Sequence, residues 1–256
     1  SFTFLENDRP QGRIFMDNIR LTPAPRAMQA SRQPSIRIVR ASRRHVPLYG
    51  RIEWTVVPDG TYQDFFDRGD IDLRATLTSP SGATREIHGF LYDFGGESRP
   101  PEWRLRFTPD RIGRWLLTVS VETGRDNFAS PSFEFIVSGS PDARGFIRVS
   151  RRDAGCFEYA NGDFFYPIGM NVAWAANMDH YFQRLSEAGG NLVRVWMCPW
   201  HLQLESRAAV GAYDLLVARE LDTLFDLAES YGLHIQLVLQ YHGILTDSWD
   251  DNPYNS

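Results

Sequence analysis

The stretch FFYPIGMNVAWAANMDHYFQRLSEAGGNLVRVWMCPW (Phe164–Trp200), continued by DLLVARELDTLFDLAESYGLHIQLVLQY (Asp214–Tyr241), decides the fold. Phe164–Met170 reads as an apolar strand. Asp179–Ala188 reads as a helix with Tyr181, Phe182, Leu185 and Ala188 on one face, stopped by Gly189-Gly190. Asn191–Cys198 is a second strand. Asp214 is placed to cap a helix in which Val217, Leu221, Leu224, Phe225, Ala228 and Tyr231 recur at helical spacing. Glu220, Asp222, Asp226 and Glu229 point the other way, and Gly232 ends the helix before a third strand, Leu233–Tyr241. Apolar strands alternating with helices predict parallel pairing with helical crossovers.

Loop lengths choose among parallel folds. The helix-to-strand turns take one to three residues, whereas the connection Pro199–Tyr213 takes fifteen. Long loops on the C-terminal side of the strands favour a (β/α)8 TIM barrel. A doubly wound nucleotide fold needs G-x-G-x-x-G after its first strand, and the sequence there is GMNVAWA (Gly169–Ala175). Each complete unit takes about 35 residues, so eight need about 280. Only 93 residues run from Phe164 to Ser256. The expectation is an incomplete barrel of about three strands over residues 145–256.

Working outward, residues 35–138 carry short strands at regular spacing, the pattern of an all-β sandwich. The expected strands are Ile36–Arg40, Leu48–Val57, Ile71–Thr78, Thr84–Tyr92, Glu102–Phe107, Arg114–Val121 and Ser132–Val137. In one of them Ile71, Leu73, Ala75 and Leu77 share a face. Ser79–Gly82 and Pro109–Gly113 supply turns. Seven strands in this length fit an immunoglobulin-like β-sandwich. The connection Gly139–Gly145 is too short for a free tether, so sandwich and barrel should pack together. Phe146–Ser150 and the hairpin Cys156–Gly169, turning at Asn161-Gly162, lead into the barrel part. Residues 22–34 read as a proline-rich linker. Residues 1–21 read as two strands, too few to stand alone, and are expected to end a preceding β-sandwich module. The fold class is therefore multidomain β plus α/β.

Composition excludes several chemistries. All 27 basic residues are arginine, which rules out a Schiff-base lysine, a P-loop lysine and a lysine base. The net charge of −5 divides unevenly: residues 1–152 hold 23 Arg and 18 acids, residues 153–256 hold 4 Arg and 14 acids. Eight arginines lie between Asp17 and Glu53 without an acid, but no aromatic-interleaved motif accompanies them, so no nucleic-acid partner is expected. Cys156 and Cys198 are too few for a disulfide framework and are expected to be buried thiols. Cys198 and His201 form a C-x-x-H pair with no second pair at zinc spacing. The loop DSWDDN (Asp247–Asn252) offers too few oxygens for Ca²⁺, so neither metal nor cofactor is expected. No apolar run is long enough to span a membrane, no secretory leader is visible, and no G-x-S-x-G is present.

Polar and aromatic residues collect at the C-terminal ends of the three strands. They are Asn171 and Trp174 after the first, Arg194, Trp196, Trp200 and His201 at the second, and Gln240, Tyr241 and His242 at the third. Asp247, Trp249, Asp250 and Asp251 follow in the next loop, and four of the seven tryptophans lie in this region. Aromatic platforms beside hydrogen-bonding groups suit sugars, which present C–H faces ringed by hydroxyls.

LVRVW after a helix ending in GGN, followed by an apolar strand ending QYHG, resembles strands two and three of clan A, cellulase-type glycoside hydrolases. PLYGRIEWTV, IDLRATLTSPSG, GFLYDF and WRLRFTPDRIGRW, then GFIRVS and FEYANGDFFYPIGMNVAW, resemble the immunoglobulin-like domain and barrel entry of bacterial members. RIFMDNIRL (Arg13–Leu21) resembles the closing strand of galactose-binding-like carbohydrate-binding sandwiches. The resemblance implies retaining hydrolysis of O-glycosidic bonds in a poly- or oligosaccharide, with Arg194 and His242 supporting two catalytic glutamates. It also implies a secreted or periplasmic location. The family's acid glutamate follows an Asn, and no Asn-Glu occurs here, so both glutamates are expected beyond Ser256 and the chain alone is expected to be inactive. The alternative is a non-catalytic carbohydrate-binding or scaffolding protein with a degenerate barrel.

Overall fold

The computed structural model describes residues 36–255 except 59, 61, 97, 124–126, 207 and 209. The strand pair expected over residues 1–21 and the linker over 22–34 lie outside the described residues. Two β-sheets pack face to face in the first half. One has the order β1 (Ile36–Ala41), β3 (Ile52–Pro58), β7 (Glu102–Phe107), β6 (Phe90–Asp93) and is antiparallel throughout. The other runs β2 (His45–Pro47), β10 (Phe133–Ser138), β8 (Gly113–Glu122), β4 (Asp72–Thr78), β5 (Thr84–His88), with β9 (Asn127–Ala129) beside β8. Their facing side chains form one core in which Trp115 stacks on Phe135 at 6.1 Å and Trp54 meets Phe135 edge-on at 5.4 Å. Ile71, Leu73, Ala75 and Leu77 are all buried in it, as their alternation predicts.

Two of the expected strands span a crossing of the chain between the sheets. Leu48–Val57 starts only at Ile52, because Tyr49 takes a left-handed φ of 62° in the turn that carries the chain from β2 to the opposite sheet. Thr84–Tyr92 breaks at Gly89, so that β5 pairs with β4 while β6 pairs with β7. A Cβ at Gly89 would lie 2.3 Å from the Leu73 side chain, and the Gly89 amide donates to the Leu73 carbonyl. The chain crosses between layers where only glycine fits.

A small antiparallel sheet follows: β11 (Ile147–Val149), β12 (Phe157–Tyr159) and β13 (Phe164–Phe165). The expected first barrel strand, Phe164–Met170, is thus divided. Its first two residues close this hairpin, and parallel pairing begins with β14 (Gly169–Ala173), past Pro167, which has no amide to donate. β14, β15 (Leu192–Trp196) and β16 (His234–Val238) form a parallel sheet in that order. Strand β16 ends at Val238, short of Tyr241, because His242 opens a four-residue helix, α3 (His242–Leu245).

Helices α1 (Met178–Glu187) and α2 (Leu215–Ser230) cover one face of the parallel sheet, burying Phe182, Val193, Val195, Leu224 and Ala228. Asn177 caps α1 through its side-chain oxygen, and Asp214 caps α2 by accepting from the Leu216 and Val217 amides. Tyr181 and Phe225, expected on the apolar faces, are exposed. On the opposite sheet face Asn171, Arg194 and Gln236 stand in one row, all exposed.

Helix α2 also packs against the first half. Leu215 joins the core of the two sheets, and two residues of the acidic side, Asp222 and Asp226, meet arginines. Arg106 donates to both carboxylate oxygens of Asp222, at 2.7 and 2.8 Å, and to Glu53. Arg51 reaches Asp226. The basic and acidic halves of the sequence are joined here. Near the small sheet, the Tyr159 hydroxyl lies 3.1 Å from Nε2 of His234, tying β12 to β16.

Candidate functional site

The C-terminal ends of the three parallel strands carry a continuous aromatic cluster. A register shift in β14 between Asn171 and Ala173, with Ala173 at φ 55°, turns the chain so that Trp174 faces its neighbours. Its ring meets Trp196 at 5.3 Å and Trp200 at 5.4 Å, both edge-on. Trp200 continues to Tyr241 at 4.8 Å, and Tyr241 to His242 at 5.4 Å. His242 closes the circuit against Trp196 at 5.9 Å. Trp174 is 45% exposed and Trp200 53%, so two large rings offer open faces to solvent.

Arg194 borders this cluster, its guanidinium 5.4 Å from the Trp196 ring centroid. Among the described residues it makes no hydrogen bond or ion pair. That is unusual here, because the other arginines of the fold mostly grip carboxylates. Asn171 stands beside it in the sheet and is exposed. The Trp196 indole N–H is buried without an acceptor.

Other expected site residues are placed differently. His201 lies in a tight turn in which its amide and carbonyl both bond Cys198, at 2.9 and 2.8 Å. Its Nε2 is buried without a partner, and burial pushes its pKa below the ordinary imidazole value, against a smaller opposing pull from Glu220. It joins no ring contact of the cluster. Gln240 lines a pocket and accepts from the Asn252 side-chain amide at 3.5 Å. Trp249 and Asp250 sit on a short 3₁₀ turn, Trp249–Asp251, exposed and with no contact to the cluster rings.

That pocket, about 280 Å³, lies between the Pro199–Tyr213 loop and the segment after β16. Sequence reasoning did not single out its wall residues Glu205, Tyr213 and Tyr254. The Tyr254 hydroxyl donates to Glu205, whose carboxylate pushes the phenol pKa up to about 12. Asn252, fully buried, fixes this wall by donating to the Ile244 carbonyl and accepting from the Tyr254 amide. The length of the loop was the available signal; the pairing of Glu205 with Tyr254 spans 49 residues and has none.

Among the described residues no three His, Cys, Asp or Glu side chains converge as a metal site, and no helix is long and apolar enough to cross a membrane. Both cysteines are free thiols. Cys198 is buried, but Cys156, expected to be buried, is only half-buried, its sulfur 3.6 Å from Asp153.

Residues 45–122 match a family model described as Domain of unknown function (DUF5060). No curated protein matches the chain. A solved structure described as a "putative glycoside hydrolase" from Bacteroides vulgatus is similar in fold, with a TM-score of 0.60 and 22% identity over 77% of this chain. The match covers 41% of that structure, so the chain spans about two fifths of its length. A family 39 glycoside hydrolase from Bacteroides cellulosilyticus aligns at 12% identity over 79% of this chain and 33% of its own, with a TM-score of 0.23. CopC from Methylosinus trichosporium aligns at 15% identity over 43% of this chain and 97% of its own, with a TM-score of 0.28. At those two scores neither alignment bears on the fold.

Proposed function

We infer that the chain belongs to a glycoside hydrolase in which an immunoglobulin-like sandwich precedes a (β/α)8 barrel. The parallel sheet would be the barrel's first three strands, with the row Asn171, Arg194, Gln236 facing its interior. The observation that carries this reading is the open aromatic cluster beside an unpaired arginine at the C-terminal strand ends, where such barrels place their sites. Trp174 and Trp200 would stack on sugar rings, and Asn171, Tyr241 and His242 would bond hydroxyls.

The reaction would be retaining hydrolysis. One carboxylic acid protonates the leaving oxygen while a second carboxylate, about 5–5.5 Å away, attacks the anomeric carbon. The carboxylates nearest the cluster in sequence do not supply that pair: Glu205 is bonded to Tyr254, and Asp247, Asp250 and Asp251 are exposed on a loop. The pair would come from strands four and seven, encoded beyond Ser256. Arg194 would lower the nucleophile's pKa by its positive charge, and His242 would orient a carboxylate or a sugar hydroxyl.

Assay of the full-length gene product on a chromogenic aryl-glycoside panel tests this. Hydrolysis by the full-length protein, with none by the 256-residue chain, is expected. Turnover by the chain alone would overturn the assignment of the acids. Saccharide binding without turnover by the full-length protein would favour a non-catalytic binding role, for which the exposed rings suffice.

A further inference from the structure

The pocket beside the strand ends has a neighbour. A second pocket, about 550 Å³, is lined by Gln203, Leu204 and Tyr213, which also line the first, and by Phe94 and Leu216. Sharing these residues, the two pockets adjoin along a trough whose lining reaches from Gln240 at the parallel sheet to Phe94 in the loop after β6 of the sandwich. Its size lies within the range of small-molecule and cofactor sites.

Phe94 is built into the far end of this trough. Phe65 and Phe66 hold it edge-on at 6.0 and 5.9 Å, and Phe66 in turn meets Tyr213 at 5.4 Å. With that support on one side, 51% of its surface stays open to solvent. Gln203 and Arg219 add hydrogen-bonding groups along the wall. A rigidly backed, open aromatic face flanked by polar groups is the chemistry that receives the C–H face of a pyranose.

We propose that the sandwich supplies a distal sugar-binding position through Phe94, so that the trough accommodates an extended polysaccharide chain rather than a short glycoside. This rests on the carbohydrate reading of the site and adds length to it. A ring at the end of a trough contributes only to ligands that reach it. Phe94 therefore raises affinity for long chains and leaves affinity for a disaccharide unchanged.

The test is isothermal titration of the full-length protein and its Phe94→Ala variant with β-1,4-linked gluco-, manno- and xylo-oligosaccharides from disaccharide to hexasaccharide. The expected result is an affinity that rises with length in the parent and falls about tenfold in the variant for the longest ligand only, with Phe94→Trp restoring it. Thermal unfolding of Phe94→Ala close to that of the parent secures its folding. Equal affinity of parent and variant at every length, or equal loss at every length, overturns the inference and leaves the carbohydrate reading standing. Failure of the parent to bind any saccharide overturns both. Protection of Phe94 by another part of the full-length protein, seen as unchanged fluorescence of Phe94→Trp on adding hexasaccharide that binds, also overturns it.

Discussion

The guanidinium of Arg106, on β7 of the sandwich, holds the carboxylate of Asp222, on α2, by two parallel bonds of 2.7 and 2.8 Å. Both side chains are about 30% exposed, and Glu53 takes the remaining Nε–H of the same arginine. The bonds to Asp222, and after them Glu53, hold Arg106 protonated more firmly than a free arginine, against the opposing effect of burial. A planar fork bonded at two points is the geometry for which arginine and lysine differ most. The sandwich and the parallel sheet are therefore joined by directional charged bonds as well as by apolar contact.

Replacing Asp222 by Asn should lower unfolding stability by about 1–3 kcal/mol, because Arg106 keeps its charge in a half-buried place with one partner fewer. A double-mutant cycle with Arg106→Met measures the coupling by urea denaturation. Coupling of about 0.5–3 kcal/mol is expected for residues in direct contact. The more exposed pair Arg51–Asp226 should give no more than about 1 kcal/mol. Additive losses at Arg106 and Asp222 would show that the fork contributes nothing specific.

Arg194→Ala should leave stability within about 0.5 kcal/mol, since among the described residues it meets one ring and it is exposed. In the full-length protein the same change should depress kcat about a hundredfold or more if Arg194 supports a catalytic carboxylate. A parent-like rate with lowered stability would reassign the residue to structure.

Gly169→Ala should cost more than about 2 kcal/mol, as its Cβ would lie 2.0 Å from the Leu192 carbonyl oxygen at the start of β14–β15 pairing. Gly82→Ala provides the contrast. Its φ of 83° carries strain of about 1–2 kcal/mol, but nothing lies within 4 Å of the new methyl. Thermal denaturation of both variants separates a blocked strand approach from a strained turn.

Stability should fall as the pH drops below about 6.5. Burial, and behind it the charge of Arg144, holds the folded His234 pKa beneath that ordinary value, so the unfolded chain binds the proton more readily. The contribution is complete above the unfolded value and is lost down to the folded one. His201, lowered by burial, acts in the same direction. Carboxylates such as Asp72, whose pKa its bond to Arg74 lowers, act in a separate window below about pH 4. His234→Gln, which leaves the Tyr159 hydroxyl an amide partner, should flatten the slope between pH 6.5 and 5.5 in urea unfolding. An unchanged slope would assign it to other groups.

Local signals in the sequence were legible where they act locally. The alternation through Leu73, Ala75 and Leu77 located β4, and Asp214 located the start of α2. Alternation says nothing of which strand is the partner, so the layer crossings at Tyr49 and Gly89 were invisible and each was read as part of a strand. Helical periodicity found the acidic side of α2 but not what it meets, because Arg51 and Arg106 approach from more than a hundred residues away. The same limit divides the site. Trp174, Trp196, Trp200, Tyr241 and His242 share the end of a sheet and could be collected from strand ends, whereas Glu205 and Tyr254 meet only through loop geometry.

Leu215 has a consequence for protein engineering. It is the first residue of α2, yet its side chain lies in the core of the sandwich, far along the chain from the last sandwich strand. Excising the sandwich at the short connection near residues 139–145 would leave an apolar hole where Leu215 sits, with Arg51 deprived of Asp226 and Arg106 left with Glu53 but without Asp222. The two halves are consequently poor interchangeable cassettes. A chimera that grafts this sandwich onto another α/β partner has to transplant Leu215, Asp222 and Asp226 with it.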